Sequence, residues 1–464
     1  MTIDVLSDNV LLEIFDFYKE SCESVPDPAA WRWQTLAHVC RRWRHIILAS
    51  PLRLELRVAC NIRTPTRKSL DIWPPFPICI TCVPLDRIDA QGEENIIAAL
   101  EQRDRVSEIV LLGPTGTAFK LERFTAVMEK PLPVLTHLCL LSSDMTKMVL
   151  SEAFLGGSAP RLRLLALQGI PFPALPTLVL SASHFHSLHL FDVPHAGYIS
   201  PHAMVAFLHA LPNLKFLTIE FRDPQSRPFQ ITPSPFTRAV LPALVDFQFQ
   251  GVSEYLDEFV SRIDTPLINR LQITLFLDPF FDIPRLYKFI DRTETLKPLS
   301  QAEAKLSPGG IVAVLGSPTG FPDALRLEIT CNMSDWQDLS MARVCRQLMP
   351  LLSQVERFDV CESYWDLLEW QCDTDYTPLL ELLYSLVSLK SLYVSEKLVP
   401  LVAPALQGLT EESVTDVLPA LNELFLEGLQ PSGSVLEALK PFVAARQVSN
   451  PVVIQRWERM PVSG

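Results

Sequence analysis

A six-residue pattern, apolar-x-x-apolar-x-apolar, returns eleven times: VSEIVL at 106, LTHLCL at 135, LRLLAL at 162, FHSLHL at 185, LKFLTI at 214, LVDFQF at 244, INRLQI at 268, ALRLEI at 324, VERFDV at 355, LKSLYV at 389 and LNELFL at 421. Successive copies start 23 to 34 residues apart, apart from one gap of 56. The alternation at the end of each copy predicts a short strand with one face buried. Helical stretches fill the intervals. Ser200-Pro201 opens HAMVAFLHAL, and SEYLDEFVSRI, YTPLLELLYSLV and SVLEALKPFV follow the same periodicity. A unit this short cannot bury its own apolar face, so the copies must stack. The gap of 56 holds a unit of another shape: IPRLYKFIDR predicts a helix, and AEAKLSPGGIVAVLG a hairpin turned at Pro308-Gly309-Gly310.

In such strands the residues between the apolar positions point out along the other sheet face. That face is expected to carry His137, Cys139, Arg163, Ser187, His189, Phe216, Thr218, Asp246, Gln248, Arg270, Gln272, Arg326, Glu328, Arg357, Asp359, Ser391, Tyr393, Glu423 and Phe425. Arg, Tyr and Phe are residues that protein interfaces favour. We single out His189, Phe216, Arg270, Arg326, Arg357 and Tyr393 as target-binding candidates; a plain solvated sheet face is the alternative.

The N-terminus follows a different rhythm. Ser7-Asp8 reads as a helix cap with an acidic first turn, and Val10, Leu11, Ile14, Phe15 and Tyr18 recur at helical spacing. Asp27-Pro28 is a second start signal. Leu36, Val39, Cys40, Trp43, Ile46 and Ile47 then form an apolar stripe, His38, Arg41, Arg42 and His45 a basic one, and Ser50-Pro51 ends the helix. The basic stripe is read as a solvated face, with nucleic-acid contact as its alternative, because one short stripe is a weak electrostatic footprint.

These N-terminal residues resemble the F-box, in the F-box-like form common in fungal proteins. The family pattern is a Leu-Pro start, an amphipathic helix, then VCRxWRxI and SPxLW. Leu6, Val10, Leu11, Ile14, Phe15, Leu36, Val39, Cys40, Trp43, Arg44, Ile46, Pro51 and Leu52 stand at matching places, whereas Ser7 replaces the usual Pro and Arg53 the usual Trp. The resemblance implies that Leu6, Val10, Leu11, Ile14, Leu36, Val39, Cys40, Trp43, Ile46, Pro51 and Leu52 dock on a Skp-type adaptor and, through it, a cullin. The array, one short strand and one helix per thirty or so residues, resembles the irregular leucine-rich repeats found behind many F-boxes. The expected fold is therefore α/β: an N-terminal helical F-box-like hairpin followed by an irregular leucine-rich-repeat-like solenoid. Its boundaries are an F-box-like domain at 1–58, a connecting segment at 59–99, the solenoid at 100–446 and a C-terminal tail at 447–464.

Totals narrow the function. The 464 residues are 48% apolar, with a formal charge of -13, so a large core is available and a phosphate backbone is repelled. No run reaches the length of a membrane span, and MTIDVLSDNVLLEIFDFY lacks a basic flank and cleavage site. A cytoplasmic or nuclear location, with no nucleic-acid or membrane partner, is the expectation. Ten cysteines are ordinary for free thiols in such a compartment. Cys79 and Cys82 in CITC lack a second pair, and a strand would send them to opposite faces. His184, His186 and His189 straddle one repeat strand, and His202 and His209 lie two helical turns apart. GSPTG puts Pro318 where a nucleophile would stand, and LLGPTGTAF lacks the Lys-Ser/Thr pair of a phosphate loop. No catalytic residue, metal or cofactor is assigned. The expected function is the non-catalytic substrate-recognition subunit of a Skp–cullin–F-box ubiquitin ligase. The rivals are a repeat scaffold with no ligase role and an enzyme with an unrecognised site, for which the repeats leave little chain.

Overall fold

A computed structural model of the chain describes residues 6–20, 36, 38–49, 56–59, 66–72, 76–82, 90–112, 121–141, 149–223, 238–276, 283–296, 300–307, 310–316, 325–330, 351–362, 377–407, 417–429, 434–446 and 451–458. The chain divides into two compact units, Met1–Tyr198 and Ile199–Gly464. None of the helices among the described residues is long and apolar enough to cross a membrane.

The first unit opens with the helices Asp8–Glu20 and Arg41–Ala49. Six strands follow: β1 Leu56–Ala59, β2 Ile78–Cys82, β3 Val106–Leu112, β4 His137–Leu141, β5 Leu164–Gln168 and β6 Ser187–Val193. Each pairs in parallel with the next. Short helices such as Ala90–Leu100 and Leu175–Leu180 connect them.

The second unit carries β7 Phe216–Phe221, β8 Ala239–Val240, β9 Asp246–Gly251, β10 Ile263–Asp264, β11 Arg270–Phe276, β12 Gln301–Ser307, β13 Gly310–Gly316, β14 Leu325–Thr330, β15 Arg357–Glu362, β16 Ser391–Val394, β17 Glu423–Glu427 and β18 Val453–Trp457. Its sheet runs β7-β9-β11-β14-β13-β12-β15-β16-β17-β18, while β8 and β10 form a separate parallel pair. LKFLTI and LVDFQF occupy neighbouring strands, β7 and β9, as stacking requires. The hairpin predicted around Pro308-Gly309-Gly310 forms β12 and β13, although Pro308 and Gly309 themselves lie outside the described residues. It is inserted into the sheet: β14 pairs with β11, and β15 pairs with β12 instead of β14.

The repeat has a physical cause in each part. The apolar strand positions are buried, as in Leu138 and Leu140, Leu217 and Ile219, Phe247 and Phe249, and Leu424 and Leu426. The helices cover that face with residues such as Phe207, Tyr255, Phe259, Phe289 and Leu439. A turn precedes most strands, in which the first apolar residue of the pattern donates its N–H to the carbonyl three residues back: Leu135 to Leu132, Leu214 to Leu211, Leu244 to Leu241 and Leu421 to Leu418. Pro133, Pro212, Pro242 and Pro419 take the second place of these turns, where a φ fixed near −65° suits the chain. The next residue bonds to the preceding repeat: Arg163 N–H to the Thr136 carbonyl, His186 to Arg163, Asn269 to Val245 and Asn422 to Lys390. Stacking is thus specified by backbone hydrogen bonds as well as by apolar burial.

Three findings differ from the sequence reading. The array extends past its expected ends: β2 and Ala90–Leu100 lie in the stretch read as a connecting segment, and β18, in the stretch read as a tail, pairs with β17. The helix expected from Leu36 to Ile47 is interrupted at Cys40, whose sulfur accepts the Trp43 N–H at 3.4 Å and so caps Arg41–Ala49. The second start at Asp27-Pro28, like Pro51 and Leu52, lies outside the described residues.

Three arginines, one buried and two half-buried, tie consecutive repeats together. Arg105 Nε donates to the Phe76 carbonyl at 3.0 Å. Arg292 reaches the Val260 and Ile263 carbonyls and the Asp264 carboxylate. Arg446, 1% exposed, donates to the carbonyls of Val417, Leu418 and Pro419 at 3.0, 2.7 and 2.9 Å. Burial depresses the pKa of all three guanidinium groups, for Arg292 with Asp264 opposing the shift.

Candidate recognition surfaces

The N-terminal helix pair closes on its own seam. Leu11, Phe15, Ile46 and Ile47 are buried, and the Trp43 ring tilts against Phe15 with centroids 4.9 Å apart. Arg42 clamps the pair from outside. Its guanidinium donates to Asp8 Oδ1 at 2.8 and 3.2 Å and to the Leu6 carbonyl at 2.5 Å. One arginine of the basic stripe is thus engaged within the pair. Arg41, Arg44 and His45 line a shallow groove with Leu48 and Ala49.

Of the residues matched to adaptor docking, Val10, Ile14 and Val39 are uncovered, at 40%, 42% and 57% exposure. Cys40 is exposed too, Leu6 and Leu36 are half-buried, and Pro51 and Leu52 lie outside the described residues. Leu11 and Ile46 are occupied inside the seam and Trp43 leans on it, so contact with another protein would fall first on Val10, Ile14 and Val39.

The outward sheet face of the second unit is one continuous register. Thr218, Gln248, Gln272, Arg326, Val314, Glu303, Asp359, Tyr393, Phe425 and Gln455 are successive partners across its ten strands. A second row begins Phe216, Asp246, Arg270. Arg270 lies 3.6 Å from the Asp246 carboxylate, and Phe216 is exposed. Arg270 and Arg326 therefore sit on neighbouring strands, β11 and β14, and Phe216 lies two strands from Arg270, across β9. Arg326 is three strand spacings from Asp359, about 14 Å at the usual separation.

Arg357 and Tyr393 belong to a tighter group on β15–β18. The Arg357 guanidinium lies 4.1 Å above the Tyr393 ring and holds both Asp359 oxygens at 3.2 Å. That bidentate bond is the largest influence raising the Arg357 pKa, against the opposing effect of burial. Tyr393 stacks on Phe425 at 4.2 Å and 3°, and Trp457 meets Tyr393 edge-on at 5.3 Å and 76°. Alternation along the strand places Phe425 on this face, outside the six target-binding candidates, while Trp457 lies beyond the last copy of the pattern. The alternation Val453, Gln455, Trp457 was the available signal, hidden because that stretch lacks the six-residue apolar pattern.

His189 lies in the first unit, in register with Ala166 and then Cys139, and stacks on Phe191 at 5.8 Å. His186 bonds Ser187 Oγ at 2.7 Å. The Cys79 thiol donates to Glu108 at 3.3 Å. Among the described residues no cluster of three or more His, Cys, Asp or Glu could hold a metal ion.

Cys139 makes a direct pH prediction. Burial first, and the Glu108 carboxylate second, push its thiol up to about 11 from an ordinary 9.0. Between those values the unfolded chain has released the proton and the folded chain keeps it, so this contribution to stability is complete below pH 9 and is lost as pH rises towards 11. Cys139→Ala should flatten the fall in unfolding free energy over that window. An unchanged slope in denaturant titrations would contradict the burial of this thiol.

No protein-family model matches the chain, and no curated protein matches it. Among solved structures, the chain is similar to LegL7, a leucine-rich repeat-containing protein from Legionella pneumophila, at 10% sequence identity and a TM-score of 0.29 over 86% of this chain and 99% of that one.

Proposed function

We propose that the chain is a non-catalytic recognition subunit of a Skp–cullin–F-box ubiquitin ligase: its N-terminal helix pair docks an adaptor, and the outward sheet face of its second unit holds a target protein. Such a subunit raises effective concentration, turning transfer to the target into an intramolecular event. The observation that carries the target half is the Arg357–Tyr393–Phe425–Trp457 group, an arginine and three aromatics together on one accessible sheet face. Residues of these types supply most binding energy in protein interfaces. The adaptor half draws on the F-box-like residues and on the apolar side chains Val10, Ile14 and Val39, which the seam leaves uncovered.

The target half is tested by Arg270→Glu combined with Arg326→Glu. Arg270 is exposed and Arg326 half-buried, and both changes reverse charge on this face without touching the apolar side; the melting temperature of each single change serves as the control for folding. Proteins captured by the parent in affinity pull-downs should be lost, with melting temperature and adaptor binding intact. Unchanged capture would remove β11 and β14 from the target site and leave the β15–β18 group as the part of the face still to be tested. A second reading, a repeat scaffold with no ligase role, draws on the packing of Trp43 against Phe15, which gives the helix pair a seam of its own.

A further inference from the structure

We infer that the outward face of β15–β18 seats a Lys or Arg side chain carried by an extended, basic segment of a partner protein. The inference rests on the reading of this face as the target surface and names the chemistry of what binds there. Glu423, Phe425 and Glu427 stand at alternate positions of β17, so they share the outward face, with one carboxylate about 7 Å to either side of the ring along the strand. Tyr393 stacks flat on Phe425, and the Trp457 ring stands steeply to Tyr393. Aromatic faces carry negative charge density and attract cations, Arg above all. The protein already places one guanidinium on this stack, that of Arg357 over Tyr393.

Arg357 does not neutralise the two glutamates. It is held bidentately by Asp359, on the opposite side of Tyr393's strand from β17. Glu423 accepts from Ser391 Oγ at 2.9 Å, and Glu427 from the Glu396 backbone N–H at 3.1 Å, both neutral donors. No lysine or arginine among the described residues forms a salt bridge with either. Two carboxylates without cations, flanking stacked aromatics in a chain of formal charge -13, are complementary to a basic segment and repel an acidic peptide or a nucleic acid. An extended segment matches the geometry, because its alternate side chains fall at the same spacing as those of the strand beneath.

The test is fluorescence anisotropy on the full chain with three short labelled peptides of equal length, in which Lys/Arg, Gln or Glu alternate with Gly/Ser. The basic peptide should bind, and the neutral and acidic ones should not. Glu423→Gln with Glu427→Gln, and separately Phe425→Leu, should each weaken it about tenfold, which corresponds to about 1.4 kcal/mol. Glu129→Gln with Glu152→Gln, which removes the same charge from the first unit, should leave binding unchanged. Equal weakening by that control pair would mean general attraction to the chain's charge and overturn the site. No binding of the basic peptide also overturns it. If the acidic peptide binds instead and Arg270→Glu with Arg326→Glu abolishes this, the target-face reading stands and the cationic assignment fails. If no peptide binds and that arginine pair also leaves target capture unchanged, both fail.

Discussion

Arg446→Ala should destabilise the second unit by about 3 to 5 kcal/mol, more than any other single change to the inter-repeat contacts. Arg446 is buried, and its guanidinium is the donor to three consecutive carbonyls, Val417, Leu418 and Pro419. Truncation removes the donor: the Leu418 carbonyl keeps the Leu421 N–H, but the buried Val417 carbonyl loses its Arg446 bond, at about 1–3 kcal/mol, and the emptied volume adds a cavity cost. Loss of the guanidinium from over the Phe442 ring, 5.6 Å from its centroid, adds to the cost. At about 2–4 °C per kcal/mol for a domain of this size, the melting transition should fall by roughly 6 to 20 °C. Arg446→Lys keeps a charge but loses the fork and should fall between. A melting temperature of Arg446→Ala within about a degree of the parent would contradict the role assigned to this side chain.

The second large effect concerns the N-terminal pair. Ile14→Glu with Val39→Glu should weaken adaptor binding by roughly thirtyfold or more, about 2 kcal/mol, while the melting temperature stays put. Both positions are exposed in the free chain, so a charge there costs little until a partner covers it. Trp43→Ala should behave differently. Its ring packs on Phe15, so its removal should lower stability and adaptor affinity together. Calorimetry with purified adaptor, alongside thermal melts of the same variants, separates the two. Equal loss of stability in both would show that Ile14 and Val39 serve the pair's own packing.

The strands were legible in the sequence because burial of one face imposes a period of two, and eleven copies repeat it. Neighbours in sequence then became neighbours in space wherever the connections were short. The hairpin was legible from its turn residues, but its insertion between β14 and β15 was not, since that depends on pairing partners far apart in sequence. The same holds for the recognition group. Arg357 and Tyr393 could each be assigned outward from alternation, yet their contact depends on the register that sets Arg357 opposite Ser391. Trp457 sat beyond the last apolar pattern and escaped notice altogether. At the N-terminus, spacing gave the apolar stripe but could not say which members face inward. Leu11 and Val10 are adjacent in sequence, yet one is buried and the other is not.

The most direct test of the account is the binding of a purified Skp-type adaptor to the full chain, measured by calorimetry without any substitution. The account predicts a one-to-one complex with a dissociation constant of about 1 μM or tighter, equivalent to about 8 kcal/mol. It further predicts that this complex recruits a cullin. A chain that is folded by its melting transition but shows no heat of binding to the adaptor would contradict the ligase role and leave a repeat protein whose partners meet its sheet face alone.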